Sequence, residues 1–168
     1  MSTFEIIKLQ EEYAVKRDAK EFSLGDTLDV KTSIILAVIV FLATQSAGFF
    51  QSTLSKWACY LQYASVAALI LAGIFAVLEL RPREYEQEDT PTRYDEWIEK
   101  LRIFYADSEN AESQVLEQAI IGRTQRARER AEANILVNKR KSDLLTLAFW
   151  LTVASLGLNL ATLAIHPF

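Results

Sequence analysis

Arg123, Arg126, Arg130 and Asn134, with Lys141 beyond them, recur at spacings of three, four, four and seven residues. On a helix such spacings share one side. Guanidinium groups aligned on one side can bind phosphate, because each offers a planar fork of donors to anionic oxygens. The chemistry this pattern suggests is recognition of a nucleotide or another phosphate ligand. The competing reading is a solvated face whose charges pair with Glu129 and Glu132, or with the acidic linker 84–96. Arg128 falls on a different side. No glycine-rich phosphate loop or dinucleotide fingerprint accompanies the stripe.

A second set of polar residues sits where polar groups are costly. Gln45, Ser46, Gln62 and Asn159 fall inside runs without a single formal charge. The runs are Thr32–Phe50, Trp57–Leu78 and Leu144–Ile165, of 19, 22 and 22 residues. Each is long enough to cross a bilayer as a helix. Amides in hydrocarbon need partners, so these residues are expected either to bond between helices or to line a pore. One chain with three spans is too thin to enclose an aqueous path. A pore would need several copies around an axis.

Other chemistry is scarce. Cys59 is the lone cysteine and His166 the lone histidine, so Cys/His zinc sites and histidine-assisted nucleophiles are excluded. Cys59 lies in an apolar run and reads as an inert thiol. No carboxylates fall at a recognisable catalytic spacing. The chain is expected not to be an enzyme, with no metal and no cofactor. A net charge of -4 gives no reason to expect a nucleic-acid partner.

The elements that must position these residues follow from charge segregation. Residues 1–25 read as an N-terminal segment rich in both charges, broken at Ser23-Leu24-Gly25-Asp26. Residues 26–80 read as a transmembrane hairpin, with spans at about 32–50 and 57–78. Glu79 would snorkel at its interface. Region 81–143 is polar and helical. Its short helix, Thr92 to about Tyr105, shows Trp97, Ile98, Leu101 and Phe104 on one face. The stretch Ser108–Ile165 then reads as one helix, capped by Asp107 or Ser108. At ~1.5 Å per residue it would span roughly 87 Å. Its last part, 144–168, carries the third span and a short tail. Leu116, Ile120, Ala127, Ala131 and Ile135 form a seam near heptad spacing. That seam suits either identical rods in an oligomeric bundle or a contact with residues 92–105.

Of 18 Lys and Arg, five precede the first span, twelve lie between Arg81 and Lys141, and only Lys56 falls in the loop between spans one and two. Positive residues mark the cytoplasmic side. The expected protein is therefore an all-α membrane protein of the inner membrane, with the N-terminus and region 81–143 cytoplasmic.

Three short motifs resemble a known family. They are Leu28-Asp29-Val30-Lys31, then Leu80-Arg81-Pro82-Arg83-Glu84-Tyr85, then Asn134-x-x-x-Asn138-Lys139-x-Lys141. In their order around the spans they resemble the Pycsar-type bacterial membrane effectors, and more loosely the SLATT-type effectors. The SLATT pattern usually has two spans, so the third departs from it. The resemblance implies an anti-phage effector controlled by a nucleotide-type ligand from a neighbouring nucleotidyltransferase or cyclase. It implies an oligomeric channel or pore that disrupts the inner membrane and stops growth of the infected cell. The alternative is a non-conducting scaffold that docks a cytoplasmic protein through Trp97, Phe104 and Tyr105.

Overall fold

The computed structural model describes residues 3–49, 55–82, 84–87 and 90–165. Four helices occupy nearly all of them: α1 Thr3–Phe49, α2 Lys56–Leu80, α3 Pro91–Phe104 and α4 Ala111–Ile165. The turn at 51–54, Arg83, the acids Glu88 and Asp89, and the tail from His166 lie outside the described residues.

Local chemistry sets the boundaries. Ser55 caps α2 by accepting the Ala58 amide at 3.3 Å. Pro82 follows its C-terminus, where a proline disfavours helical backbone in the residue before it. Pro91 opens α3, where its missing N–H is no loss. α4 begins at Ala111, two residues later than a cap at Ser108 predicts. The Ser108 hydroxyl instead donates to Gln114 Oε1 at 2.9 Å, and Ser108 N–H donates to the Tyr105 carbonyl. Residues 105–110 are thus spent on a turn. The expected break at Ser23–Asp26 does not occur either, because α1 runs straight through it. One glycine in a helix costs only ~1 kcal/mol. Gly25 is buried within the helix. α4 also continues without a break through Lys139–Asp143 into its apolar part.

Three helices are long and apolar enough to cross a membrane: α1, α2 and α4. The protein is an all-helical, multi-pass membrane protein. Its chain divides into two compact units. The polar unit comprises Met1–Leu24 and Glu84–Val137, and the membrane unit comprises Gly25–Arg83 and Asn138–Phe168.

Burial in each long helix follows steps of three and four. In α2 the buried positions include Ala58, Gln62, Ser65, Leu69, Ala72, Ala76 and Glu79. In α4 they include Ile120, Thr124, Ala127, Ala131, Asn134, Asn138 and Lys141, then Ala148, Thr152, Ser155, Asn159 and Thr162. That 3.5-residue repeat is the signature of left-handed helix packing. The pairing register is equally regular. In the polar unit Glu11 meets Arg123 and Asp18 meets Arg130, each 112 residues apart. In the membrane unit Asp29 meets Lys141 at the same separation, and Ser46 meets Asn159 at 113. α1 and α4 therefore run parallel within each unit. Gln62 reaches Ser46 and Gly73 faces Ile39, so α2 runs antiparallel to α1.

The membrane unit packs Ile39, Leu42, Leu69, Ala72, Ala76 and Ala148 into one apolar cluster. Half of these are alanines. Without a hydrophobic force between helices in lipid, close backbone approach supplies the packing, and small residues permit it.

Candidate functional site

In the polar unit every residue of the predicted phosphate stripe has a partner on the same chain. Arg123 donates to Glu11 Oε1 at 3.1 Å, and Arg130 donates through Nε to Asp18 Oδ2 at 2.9 Å. Arg126 lies over the Trp97 ring, 4.8 Å from its centroid. Asn134 clamps the linker: its Oδ1 accepts the Glu86 amide at 3.2 Å and its Nδ2 donates to the Glu86 carbonyl at 3.4 Å. Arg130 and Asn134 are buried, while Arg123 and Arg126 are half-buried. Two of the carboxylates that neutralise the stripe come from α1. Sequence reasoning looked to Glu129, Glu132 and the linker instead. The signal was present: Glu11, Asp18 and Asp29 are spaced seven and eleven apart, as are Arg123, Arg130 and Lys141.

Beside the Arg130–Asp18 pair lies an open recess of 550 Å³. Phe22, Glu86 and Gln87 help to line it, together with the pair itself. The Phe22 and Tyr85 rings meet edge to face at 5.8 Å. Two anionic side chains border this recess, so an anionic ligand would have to displace Asp18 from Arg130 to gain the guanidinium.

α3 contributes a single anchor. Trp97 packs on Gly122, where an added Cβ would stand 2.5 Å from its ring. Tyr94, Trp97, Ile98 and Leu101 make the half-buried face, whereas Phe104 is exposed and meets the Tyr105 ring edge to face at 4.9 Å. The expected place of Phe104 on the packed face is thus taken by Tyr94. Gly122→Ala should expel the indole and with it the contact to Arg126. Overpacking of this kind costs about 1–3 kcal/mol, against a gain of ~1 kcal/mol in helix propensity. Tryptophan fluorescence of Gly122→Ala should shift toward the red, and an unchanged spectrum would refute this packing.

The seam of α4 is covered within one chain. Ile120, Ala127 and Ala131 are buried, Ile135 is half-buried, and Leu116 is the exposed member.

In the membrane unit Ser46, Gln62 and Asn159 converge. Asn159 Nδ2 donates to Ser46 Oγ at 3.3 Å, and Gln62 Nε2 donates to the Ser46 carbonyl at 3.2 Å. Ser65 and Ser155 share a hydrogen bond at 2.8 Å one layer away. These groups bond between helices inside a single chain. Gln45 stands apart on the exposed side of α1. Near the other end of the unit, Lys141 is bound to Asp29, with its side chain only 4% exposed. Glu79 does not snorkel as expected: it is fully buried. It continues the three-and-four register of Gln62, Ser65, Leu69, Ala72 and Ala76, which turns it inward.

Three helices apolar enough to cross a membrane, a continuous polar-to-apolar α4 and a polar seam inside the spans define a multi-pass membrane protein. The sequence pattern describing the Pycsar effector protein domain matches residues 23–166, and the chain belongs to that family. Its role is that of an effector in anti-phage defence. The matched region starts after Glu11 and Asp18, the α1 carboxylates that hold Arg123 and Arg130. No curated protein and no solved structure matches the chain.

Proposed function

We propose that the protein is an oligomeric, nucleotide-controlled channel or pore of the inner membrane, opened or released during infection. It acts without catalysis. The observation that carries this reading is the helix α4, which bears Arg123, Arg126, Arg130 and Asn134 and continues unbroken as a span. A nucleotide phosphate would compete with Glu11 and Asp18 for the arginines. Freed from those carboxylates, α4 gains a second arrangement, and a ligand shifts the balance only through its differential affinity for the two. The interhelical bonds of Ser46, Gln62 and Asn159 keep a single chain closed. Conduction therefore requires copies to rearrange around an axis, with Gln45 the amide on the outer side of each chain. The charge count puts the N-terminus and the polar unit in the cytoplasm, where a partner cyclase or nucleotidyltransferase would release its product.

A scaffold reading has one observation in its favour. Ile103 and Phe104 are 70% and 78% exposed, two adjacent apolar side chains left uncovered in a single chain, whereas Trp97 and Tyr105 are half-buried. The triple variant Arg123→Glu, Arg126→Glu, Arg130→Glu separates the two. In cells carrying the whole defence system, the channel reading predicts loss of ligand-triggered depolarisation with the protein still in the membrane. Retained, ligand-dependent depolarisation would sink the stripe as the sensor. A detergent-solubilised mass equal to one 19.1 kDa chain would remove the pore.

A further inference from the structure

The membrane unit carries a groove that the channel reading does not use. It is open, has a volume of 380 Å³ and runs between α1 and α4. Small-molecule sites fall in the same range, about 300–1,000 Å³. Lys31, Ile34 and Ile35 of α1 line it, with Leu145, Thr146 and Phe149 of α4. Ile35 packs against the apolar cluster of the unit, while Ile34 and Phe149 are left uncovered in a single chain. The walls are therefore apolar apart from one ammonium and one hydroxyl. The Thr146 hydroxyl donates to the Ser142 carbonyl at 2.8 Å and is spent. No ion pair engages Lys31 among the described residues.

Depth decides what fits. The separation of 112 residues that joins Asp29 to Lys141 also sets Thr32 level with Leu144. Those are the first residues of two uncharged runs. Both runs thus begin in one plane, Lys31 stands at its edge, and the groove descends from there. From the level of Lys31 to Phe149 is about six residues of helix, or ~9 Å. A bilayer supplies an occupant with that layout, a phosphate at the boundary and a hydrocarbon chain below it. Basic pockets between membrane helices hold anionic headgroups for this reason. The acids at this depth do not take the place of the phosphate. Asp29 is bound to Lys141, and Asp143, level with Lys31, forms no ion pair with it among the described residues. We propose that the groove is a binding site for an anionic phospholipid, with the phosphate on the Lys31 ammonium and one acyl chain along Ile34, Ile35, Leu145 and Phe149. Free phosphate matches Lys31 alone and leaves the apolar walls uncovered. A zwitterionic lipid brings its own cation to compete for the phosphate, so the site favours a headgroup of net negative charge. Bound there, the lipid touches both helices that the Asp29–Lys141 pair joins.

The test is native mass spectrometry of the full-length protein in detergent, with phosphatidylglycerol and phosphatidylcholine of matched chains added in turn. The wild type should retain phosphatidylglycerol over phosphatidylcholine by about fivefold, the ratio expected for one lysine beside an anionic headgroup. Lys31→Gln should abolish the preference. Lys139→Gln removes an exposed cation of α4 that does not line the groove, and should keep it. Ile34→Trp fills the groove and should lower retention of both lipids, which gives a reading independent of charge. Inorganic phosphate in excess should displace neither. Equal losses from Lys31→Gln and Lys139→Gln would reduce the effect to diffuse surface charge and overturn the site. Displacement of the lipid by inorganic phosphate would overturn the role of the acyl chain. An Ile34→Trp variant that keeps its lipid but changes the mass of the complex would make the groove a contact between copies, and the proposal would fall. None of these outcomes depends on conduction or on a nucleotide.

Discussion

Arg130→Ala should cost about 3–5 kcal/mol of stability in the polar unit, the range for removing one partner of a buried pair. The Arg130 and Asp18 side chains are only 9% and 17% exposed, so the screening that makes surface pairs nearly worthless is weak here. Most of the loss comes from the carboxylate left behind rather than from the contact itself. It follows that Asp18→Ala in the same chain should recover much of it, and the double variant should fall well short of the sum of the single costs. Chemical denaturation in detergent measures all three. Arg123→Ala should cost far less, because its side chain is 42% exposed and the pair with Glu11 is solvated. Equal costs for Arg123 and Arg130 would mean that burial does not set the strength of these pairs.

Ala131→Leu should destabilise the chain by about 1–3 kcal/mol, and the loss should not depend on protein concentration. Ala131 and Ala127 are 0% exposed in a single chain, so an added isobutyl group has no space to enter. A seam between copies would respond differently. Its variant would dissociate on dilution and recover stability at high concentration. Leu116, which is 51% exposed, is the control. Leu116→Ala should leave intrachain stability within a few tenths of a kcal/mol, as expected of surface changes. Thermal melts over a hundredfold range of concentration distinguish the two seams. A strongly concentration-dependent Ala131→Leu melt would return the small-residue stripe to the interface between copies.

The membrane-crossing helices were readable because hydrocarbon tolerates so few charges. Three uncharged runs leave little choice of architecture, and α4 was readable as one rod because no proline enters it. Boundaries were harder. Gly25 looks like a breaker in sequence, yet a single glycine costs a long helix only ~1 kcal/mol, and α1 continues through it. The start of α4 moved to Ala111 because two candidate caps, Asp107 and Ser108, stand next to a turn that uses the serine. The polar site was half legible. The arginines stood out, yet their α1 partners lie 112 residues away in sequence, beyond any local pattern. Matching the seven-and-eleven spacing of acids in α1 with that of bases in α4 would have found them. Glu79 was misplaced because proximity to a span end suggested the interface. The three-and-four register of α2 carried the better information, since it fixes the face of a helix and not merely its depth.

Each level of the structure serves one economy. A polar helix pair is held by charges at fixed register, and an apolar helix pair by alanines and a few hydrogen bonds at the same register. The arginines nearest the proposed ligand are neutralised by carboxylates from outside the matched family region. In the proposed function, Glu11 and Asp18 hold the places that a ligand phosphate would take.

The central claim is ligand-controlled conduction, and planar-bilayer recording of the purified full-length protein tests it most directly. Addition of a cyclic nucleotide to the polar-unit side should switch discrete current steps on or off, and the Arg123, Arg126, Arg130 triple-glutamate variant should not respond. A bilayer that holds folded wild-type protein and shows no current with or without any cyclic nucleotide would contradict the account.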